Sequence, residues 1–332
     1  MKNDREKIDK KEIELILRLD KNWRADKVKI ERAGGQTNRN YIVEFEKKKY
    51  FVRLPWERAD VIDRKVEAKN ILALVKCKKL SKILPKYHLY ILGGRNILSS
   101  QKEKFNLPDG TMMTEYITGK DINGEDLARP EIQKSLLKTL SIFHGSGVKF
   151  FNNYDVFRAE IYKYKNKVKK YRIGKLVPGK ELNKIEEIEN RAKRNFPLGG
   201  KVSTHNDLIF ENLRLGKNGK ICLLDFVYGG FNIRQGIYYD LGIILGGNLF
   251  QKNPIRIETF EEILEKAKKI YKNKLDRNKI YLGALINVLV MFWWGIVKYF
   301  SSITKEEKKY FKVYLLKRAR GVQLLYKIIK RK

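Results

Sequence analysis

The chain has 332 residues, of which 43% are hydrophobic and 33% charged, a balance that excludes a disordered protein and fits one large domain or two lobes. Its 72 lysines and arginines against 38 aspartates and glutamates give a formal net charge of +34, so a polyanionic partner is conceivable on electrostatic grounds. Because few basic runs are interleaved with aromatic residues, we favour solvated lysines on helix surfaces and predict no obligatory nucleic-acid partner.

Cysteine spacing and hydropathy favour a cytoplasmic protein without a transmembrane segment. Cys77 and Cys222 lie far apart and match no metal or redox motif, as is usual in a reducing compartment. The N-terminus is charged from its second residue, so we expect no signal peptide. Residues 280–297 are uncharged over a length at the lower limit for crossing a bilayer, but Asn287 and two glycines interrupt them. We therefore predict a buried helix there.

The first third of the chain is predicted to form a small antiparallel sheet. Apolar residues at helical spacing over 11–19 predict an opening helix, and a second helix is predicted at about 60–75. The predicted strands cover residues 28–33, 41–45, 50–54, 87–92 and 111–117. A glycine-containing loop at 34–38 follows the first strand. Glycine there allows backbone amides to approach phosphate oxygens, although a Gly-Gly turn alone is more often a plain hairpin.

Helices dominate the remainder of the chain. The predicted helices run from about residue 125 or 130 to 144, over 156–171 and over 181–196, with three more between about residue 258 and the C-terminus. The charged faces of the two lysine-rich helices in this series are interpreted as solvated.

The chemistry of the chain concentrates in residues 203–225. His205, Asp207 and Asn212 lie within eight positions, and a short apolar run after a glycine-bearing turn ends in Asp225. Phosphoryl transfer requires a carboxylate that accepts the proton of the attacking hydroxyl, and hard oxygen ligands that hold Mg²⁺ against nucleotide phosphates. We interpret Asp207 as that base and Asn212 with Asp225 as the metal ligands, against the alternative of a helix cap and a turn residue.

The sequence HNDLIFEN, followed by LLDF, resembles the catalytic loop and metal strand of the kinase fold in choline/ethanolamine kinases and aminoglycoside phosphotransferases. Protein kinases carry Arg between the His and the Asp, and Gly after the Asp-Phe pair. This chain has Asn206 and Val227 at those positions, which argues against a protein kinase. The resemblance covers roughly residues 28–320.

The resemblance implies an α+β, two-lobed, protein-kinase-like fold. A small antiparallel-sheet lobe that binds nucleotide is expected over residues 1–113, and a hinge over 114–119. A larger, mainly helical lobe for catalysis and acceptor binding is expected over 120–332.

Nucleotide contacts are also implied by the resemblance. The sequence GGQTNRNY is similar to the nucleotide loop of choline kinases, so its phosphate-capping residues are expected to be Gly34, Gly35, Gln36, Thr37 and Asn38. Arg53 matches the strand cation that reaches the α and β phosphates, and Glu67 matches the carboxylate that pairs with it. The backbones of Glu115 and Ile117 are expected to meet adenine at the hinge.

Supporting residues around the catalytic loop follow from the same resemblance. His205 is expected to hold the loop by a hydrogen bond, and Asp240 to buttress it from the head of a helix. His144 is expected to be a structural donor at a helix end and not a base.

The implied acceptor site is less complete than in choline kinases. Trp294 and Tyr228 are the expected acceptor residues, but Val297 stands where a second Trp is usual and Val227 where Glu is usual. Aromatic faces attract desolvated cations by roughly 1–2 kcal/mol each, so half a cage suits a primary ammonium, which hydrogen bonds can satisfy, better than choline. A plain core role for Trp294 is the alternative.

We therefore expect a small-molecule kinase that transfers the γ-phosphate of ATP, with Mg²⁺, to the hydroxyl of a small amino alcohol such as choline or ethanolamine. A thiamine, amino-sugar or aminoglycoside kinase of the same superfamily is an alternative. An alternative of another class is a catalytically retired scaffold that binds nucleic acid or a membrane surface. Mg²⁺-dependent nucleotide binding separates the retired scaffold from the kinases.

Overall fold

The computed structural model describes residues 8–34, 38–55, 62–101, 103–272 and 274–331. The chain forms two compact units. The first unit comprises residues 1–119 with 222–227, and the second comprises 120–221 with 228–332. The lobe boundaries expected from the sequence, with a hinge at 114–119, stay a prediction.

The first unit is built around a six-stranded antiparallel sheet with the strand order β1-β2-β3-β6-β4-β5. Its strands are β1 (Lys29–Gly34), β2 (Asn38–Phe45), β3 (Lys48–Pro55), β4 (Tyr87–Leu92), β5 (Arg95–Asn96) and β6 (Met112–Glu115). Its helices are α1 (Lys10–Leu17) and α2 (Arg64–Lys76). The five strands predicted from the sequence are all present.

Local chemistry sets two boundaries that differ from the prediction. The hairpin between β2 and β3 turns on Glu46 and Lys47 alone, which have φ values of 48° and 64°, as a two-residue turn between twisted strands requires. Helix α2 begins only at Arg64 because the Asp63 side chain caps it by accepting from the backbone N–H groups of Lys65 and Val66.

Alternation along the strands separates a hydrophobic core from a polar cluster. The core combines apolar residues of α1, the sheet and the following loops: Ile16, Leu19, Trp23, Tyr41, Val43, Val52, Leu54, Leu89, Ile91, Leu107 and Met113. Arg53 lies between Val52 and Leu54 and therefore points to the opposite side of the sheet. Its side chain meets Glu67 of α2 there.

The rest of the chain is mainly helical. Its helices are α3 (Gly124–Leu127), α4 (Pro130–His144), α5 (Tyr162–Val168), α6 (Gly179–Asn195), α7 (Gly236–Gly246), α8 (Ile257–Ile270), α9 (Arg277–Ser301) and α10 (Lys305–Lys330). Its strands are β7 (Gly119–Asp121), β8 (Asn153–Tyr154), β9 (Val202–Thr204), β10 (Leu213–Gly216), β11 (Ile221–Leu223) and β12 (Gly230–Asn232). A π-helical turn, Phe157–Ile161, leads into α5.

Helix α9 is the central core helix of the second unit. Among the described residues it alone is long and apolar enough to cross a membrane, but 83% of its most apolar window is buried. It packs against α7 and α10. The predicted buried helix over 280–297 is therefore confirmed.

A short three-stranded sheet in the second unit positions the start of the loop at 205–212, which holds the predicted catalytic residues. Strand β12 pairs parallel with β8 and antiparallel with β9, and Gly230 lies opposite Thr204. The loop that contains His205 and Asp207 leaves the end of β9. With the antiparallel sheet of the first unit, this mainly helical unit confirms the predicted α+β class.

Candidate active site

Asn206 shapes the predicted catalytic loop of the second unit, residues 205–212. Its backbone is left-handed, with φ of 65°, a conformation that asparagine tolerates better than most residues. The side chain is 3% exposed; its Nδ2 donates to the carbonyl of Tyr228 at 2.9 Å, and its Oδ1 accepts from Thr204 at 2.6 Å and Asn232 at 3.1 Å. Asn206 therefore fixes the turn from which Asp207 projects.

Asp240, which is fully buried in α7, holds the backbone of this loop by hydrogen bonds. Its carboxylate accepts from the backbone N–H groups of His205 at 2.9 Å and Asn206 at 2.8 Å. Nε2 of His144 lies 3.0 Å from the same carboxylate, and Nδ1 of His144 lies 2.8 Å from the Tyr271 hydroxyl. Burial and the charge of Asp240 raise the pKa of Tyr271, so this hydroxyl stays protonated.

Asp207 and Asn212 are joined directly. Nδ2 of Asn212 donates to the backbone oxygen of Asp207 at 2.8 Å and to its Oδ2 at 2.9 Å. The loop is therefore closed on itself and orients the carboxylate. Because the amide nitrogen is committed to Asp207, the amide oxygen is the atom that Asn212 can offer to a cation.

Sequence reasoning missed Asn248, which holds the other arm of the loop. It is fully buried just beyond α7; its Oδ1 accepts from Phe210 N at 2.8 Å, and its Nδ2 donates to the carbonyls of Leu208 at 3.1 Å and Ile244 at 3.0 Å. A signal existed, because an asparagine inside an apolar stretch must find hydrogen-bond partners.

In the first unit, Arg53 contacts its predicted partner Glu67 and, in addition, Asp225 and the Gly110 carbonyl. Its Nη1 lies 2.7 Å from Glu67 Oε1 and 3.8 Å from Asp225 Oδ1, and its Nη2 donates to Gly110 O at 3.1 Å. Arg53 and Glu67 are each 2% exposed. Burial opposes both charges, but their mutual attraction outweighs it: Glu67 and Asp225 raise the pKa of Arg53, and Arg53 and Arg64 lower the pKa of Glu67.

Arg64 extends this cluster to the glycine loop, a role that the sequence did not reveal. Its Nη1 lies 2.8 Å from Glu67 Oε2 and its Nη2 donates to Asn38 Oδ1 at 2.6 Å, while the Tyr90 hydroxyl donates to Glu67 at 2.7 Å. Gly110 makes room for it: φ is +88°, and a Cβ there would lie 2.6 Å from Arg64 Cδ.

The other predicted nucleotide-binding residues lie in the glycine loop and at the end of β6. Gly34 ends β1 with φ of 79°, and three predicted loop residues, Gly35, Gln36 and Thr37, lie outside the described residues. Glu115 is the last residue of β6, where its N–H donates to Lys86 O at 2.8 Å, and Ile117 is half-buried beyond the strand end.

The two tryptophans of α9 have different surroundings. Trp293 is 2% exposed and donates from Nε1 to Glu189 at 2.7 Å, so it belongs to the core. Trp294 is half-buried, with its ring centroid 5.8 Å from that of Phe311 and 5.7 Å from that of Tyr314.

Tyr314 connects this aromatic cluster electrostatically with the catalytic loop. Burial raises the pKa of Tyr314, Arg318 opposes this, and the charge of Asp207 adds to it. Within the cluster of Trp294, Phe311 and Tyr314, it is therefore the pKa of Tyr314 that responds to the charge of Asp207.

The site residues thus fall into two groups, one in each unit. The second unit brings together His205, Asp207, Asn212, Tyr228 and Asp240. The first unit brings together Asn38, Arg53, Glu67 and Asp225.

Comparison with known sequences relates the chain to choline and ethanolamine kinases. A family model for choline/ethanolamine kinase matches residues 98–279, more than half of the chain. Mouse choline kinase alpha is 25% identical over 148 residues, which make up 41% of this chain and 32% of the mouse protein.

Solved structures share the fold over most of the chain. LicA, a choline kinase from Streptococcus pneumoniae whose structure was solved in complex with AMP, has a TM-score of 0.67 at 19% identity, covering 94% of this chain and 98% of LicA. The ethanolamine kinase of Plasmodium vivax has a TM-score of 0.61 at 18% identity, covering 89% of this chain and 82% of that one.

Proposed function

The chain belongs to the choline/ethanolamine kinase family, and we propose that it transfers the γ-phosphate of ATP to the hydroxyl of a small amino alcohol such as choline or ethanolamine. The observation that carries this proposal is the catalytic loop, in which Asn212 orients the Asp207 carboxylate while Asp240 holds the loop backbone. The buried Asp240 carboxylate, which binds two backbone amides of this loop, favours an active kinase over an inactive scaffold. The AMP bound to LicA supports ATP as the donor.

Asp207 is proposed as the general base. Its carboxylate accepts the proton of the acceptor hydroxyl as the oxygen attacks the γ-phosphorus, the bond from that phosphorus to the bridging oxygen breaks, and ADP leaves. Because the transition state is loose, the orientation of the hydroxyl matters more than early proton removal. The hydrogen bond from Asn212 supports that orientation.

The proposed metal ligands suit Mg²⁺. Asn212 offers an amide oxygen and Asp225 a carboxylate, both hard donors, and Mg²⁺ is usually held by few protein groups together with substrate phosphates. Within the ranges that the structure describes, no three His, Cys, Asp or Glu side chains form a dedicated metal cage. When bound, Mg²⁺ would neutralise charge on the phosphates.

The remaining cation of the nucleotide site is proposed to be Arg53. Glu67 holds one of its nitrogens and the Gly110 carbonyl another, so the guanidinium is oriented before nucleotide arrives. Asn38, fixed by Arg64, supports a phosphate-capping role for the loop that starts at Gly34. The backbones of Glu115 and Ile117 are proposed to contact adenine.

The acceptor is proposed to lie between Asp207 and the aromatic cluster of Trp294, Phe311 and Tyr314, with Tyr228 at its edge. Aromatic faces and a nearby carboxylate favour a cationic alcohol. We place the enzyme in the cytoplasm, where ATP is available; Cys77 and Cys222, both within the described residues, form no disulfide.

The test is an acceptor screen with purified protein, ATP and Mg²⁺, in which ADP release is measured with choline, ethanolamine, thiamine, amino sugars and aminoglycosides. We expect turnover with the first two, and none above background with Asp207→Ala, because loss of a general base costs roughly 10²–10⁴-fold. The variant must keep the wild-type melting temperature. Full activity in a folded Asp207→Ala, or turnover with none of these alcohols, would contradict the proposal.

A further inference from the structure

Glu160 is a buried acid whose hydrogen-bond partners are tyrosines. It lies in the π-helical turn before α5 and is 6% exposed. The Tyr154 hydroxyl donates to its Oε1 and the Tyr164 hydroxyl to its Oε2, the latter at 3.3 Å. In the described part of the chain, Glu160 forms no ion pair within 4.0 Å with a Lys or Arg side chain. An isolated buried carboxylate is costly, so its retention calls for a function.

Two other buried acids of the second unit have basic partners. Asp155 pairs with Arg234 at 3.0 Å, and Glu189 lies 3.3 Å from the ammonium of Lys165. At Glu160, burial raises the pKa to about 7, although the hydrogen bonds of both tyrosines and the charge of Lys163 oppose this. Glu160 therefore changes charge near neutral pH.

A chain of contacts connects Glu160 with the catalytic loop. Tyr164 donates to Glu160, and a side-chain hydrogen bond with Tyr228 contributes to the raised pKa of Tyr164. The carbonyl of Tyr228 in turn accepts from Asn206 at 2.9 Å. Burial raises the pKa of Tyr164, and the charges of Glu160 and Asp207 both add to the effect. The charges of both acids therefore raise the pKa of the same tyrosine.

We propose that Glu160 determines the specificity for a cationic acceptor: acting through Tyr164 and Tyr228, its carboxylate lowers the electrostatic potential where the ammonium group of the alcohol binds. It is a positioning residue and does not touch the reacting atoms. This inference rests on the proposed function and names the charge that selects its substrate class. It also offers a source of negative charge in a chain that carries Val227 where a carboxylate is usual.

The pH dependence follows from linkage. A bound cation favours ionised Glu160, so acceptor affinity is complete above pH 7 and declines as the pH falls through 7, by up to about tenfold per unit. The titratable and charged groups around Glu160 are Tyr154, Tyr164, Lys163, Tyr239 and the ion pair of Asp155 with Arg234, while α9 contributes the neutral Asn287. Burial raises the pKa of the three tyrosines, so none of these hydroxyls titrates between pH 6 and 8.

The experiment measures KM and kcat for choline, whose charge is independent of pH, between pH 6 and 8.5 in the wild type and Glu160→Gln. For the wild type we expect KM to rise below pH 7. For Glu160→Gln we expect a KM at least tenfold higher at pH 8 and no rise below pH 7, with the KM for ATP unchanged. Glu189→Gln, which alters a buried acid that already has a partner, is the control and keeps the wild-type pH dependence.

A neutral alcohol separates specificity from general damage. The uncharged carbon isostere of choline, 3,3-dimethyl-1-butanol, should show the same kcat/KM with the wild type and Glu160→Gln. Tyr164→Phe, which breaks the connection and leaves Glu160 in place, should also raise the choline KM and serves if Glu160→Gln does not fold.

Equal losses for choline and the neutral alcohol, or a wild-type choline KM that is constant across the pH range, would overturn this inference alone. A wild type that phosphorylates no alcohol would overturn the proposed function, and this inference with it.

Discussion

At the scale of single residues, Arg53 depends on Glu67 because both side chains are almost completely removed from water. Each is 2% exposed, and 2.7 Å separates their charged atoms. Such a pair contributes little net stability compared with an apolar pair, but removing one partner leaves a buried charge uncompensated.

Replacing Glu67 therefore tests the pair. We expect Glu67→Gln to lower the free energy of unfolding by about 3–5 kcal/mol, as for a broken buried ion pair, and to raise the KM for ATP. Urea unfolding and initial rates measure the two effects. Glu44→Gln is the control: it removes an exposed partner of Lys49, and about 0–1 kcal/mol is expected. Unchanged stability in Glu67→Gln would show that the pair is dispensable.

The same pair predicts an acid dependence. Because Arg53 and Arg64 lower the pKa of Glu67, its stabilising effect is complete above its ordinary pKa and is lost as the pH falls through the lowered value. In unfolding experiments, Glu67→Gln should make the free energy of unfolding less dependent on pH in the acid range. If the free energy of unfolding of Glu67→Gln declines as steeply at acid pH as that of the wild type, other carboxylates cause the decline.

At the scale of elements, α7 lies so close to α9 that the position of the catalytic loop depends on their packing. Asp240 on α7 accepts hydrogen bonds from the backbone amides of the loop. A Cβ at Gly246 would lie 2.4 Å from the carbonyl oxygen of Ala284 on α9. Close backbone approach of this kind admits no side chain without displacement of a helix.

Gly246→Ala is therefore expected to destabilise the protein by about 1–3 kcal/mol through overpacking and to lower kcat by shifting Asp240. Gly179→Ala, at the start of α6, is the control because a Cβ there meets nothing within 4 Å. Thermal unfolding and kcat measure both variants. Equal melting temperatures for the two variants would contradict the close packing of α7 and α9.

The elements and the loop motif were predictable because their signals are local in the sequence. Alternation and turn residues predicted the strands on either side of Glu46, and the spacing of His205, Asp207 and Asn212 predicted one loop. The supporting residues escaped prediction because their partners are distant: Asn248 bonds Phe210 38 positions away, and Arg64 bonds Asn38 26 positions away. Neither spacing corresponds to a helix or strand period.

At the scale of the whole molecule, the net charge of +34 acts differently on the two proposed substrates. A cationic protein attracts anionic nucleotide and repels a cationic alcohol, and salt screens both effects. In the proposed function, the Glu160 carboxylate counteracts this global field where the cationic alcohol binds.

Ionic strength should consequently affect the two Michaelis constants in opposite ways. Between about 0.05 and 0.3 M KCl, screening is expected to raise the KM for ATP and to leave the KM for choline constant or lower. Steady-state kinetics at fixed pH measure both. If salt raises both Michaelis constants in parallel, the effect does not arise from the net charge of the protein, and this prediction is wrong.

The central proposal is that Asn212 and Asp225 both bind the Mg²⁺ that accompanies ATP. The most direct measurement is a double-mutant cycle on Mg²⁺-dependent ATP affinity, determined calorimetrically for the wild type, Asn212→Ala, Asp225→Ala and the double variant. We predict that each single substitution weakens binding at least tenfold and that the double variant is scarcely weaker than either, because the two ligands act as a unit. A double variant weakened by the full product of the two single effects would contradict a shared ion.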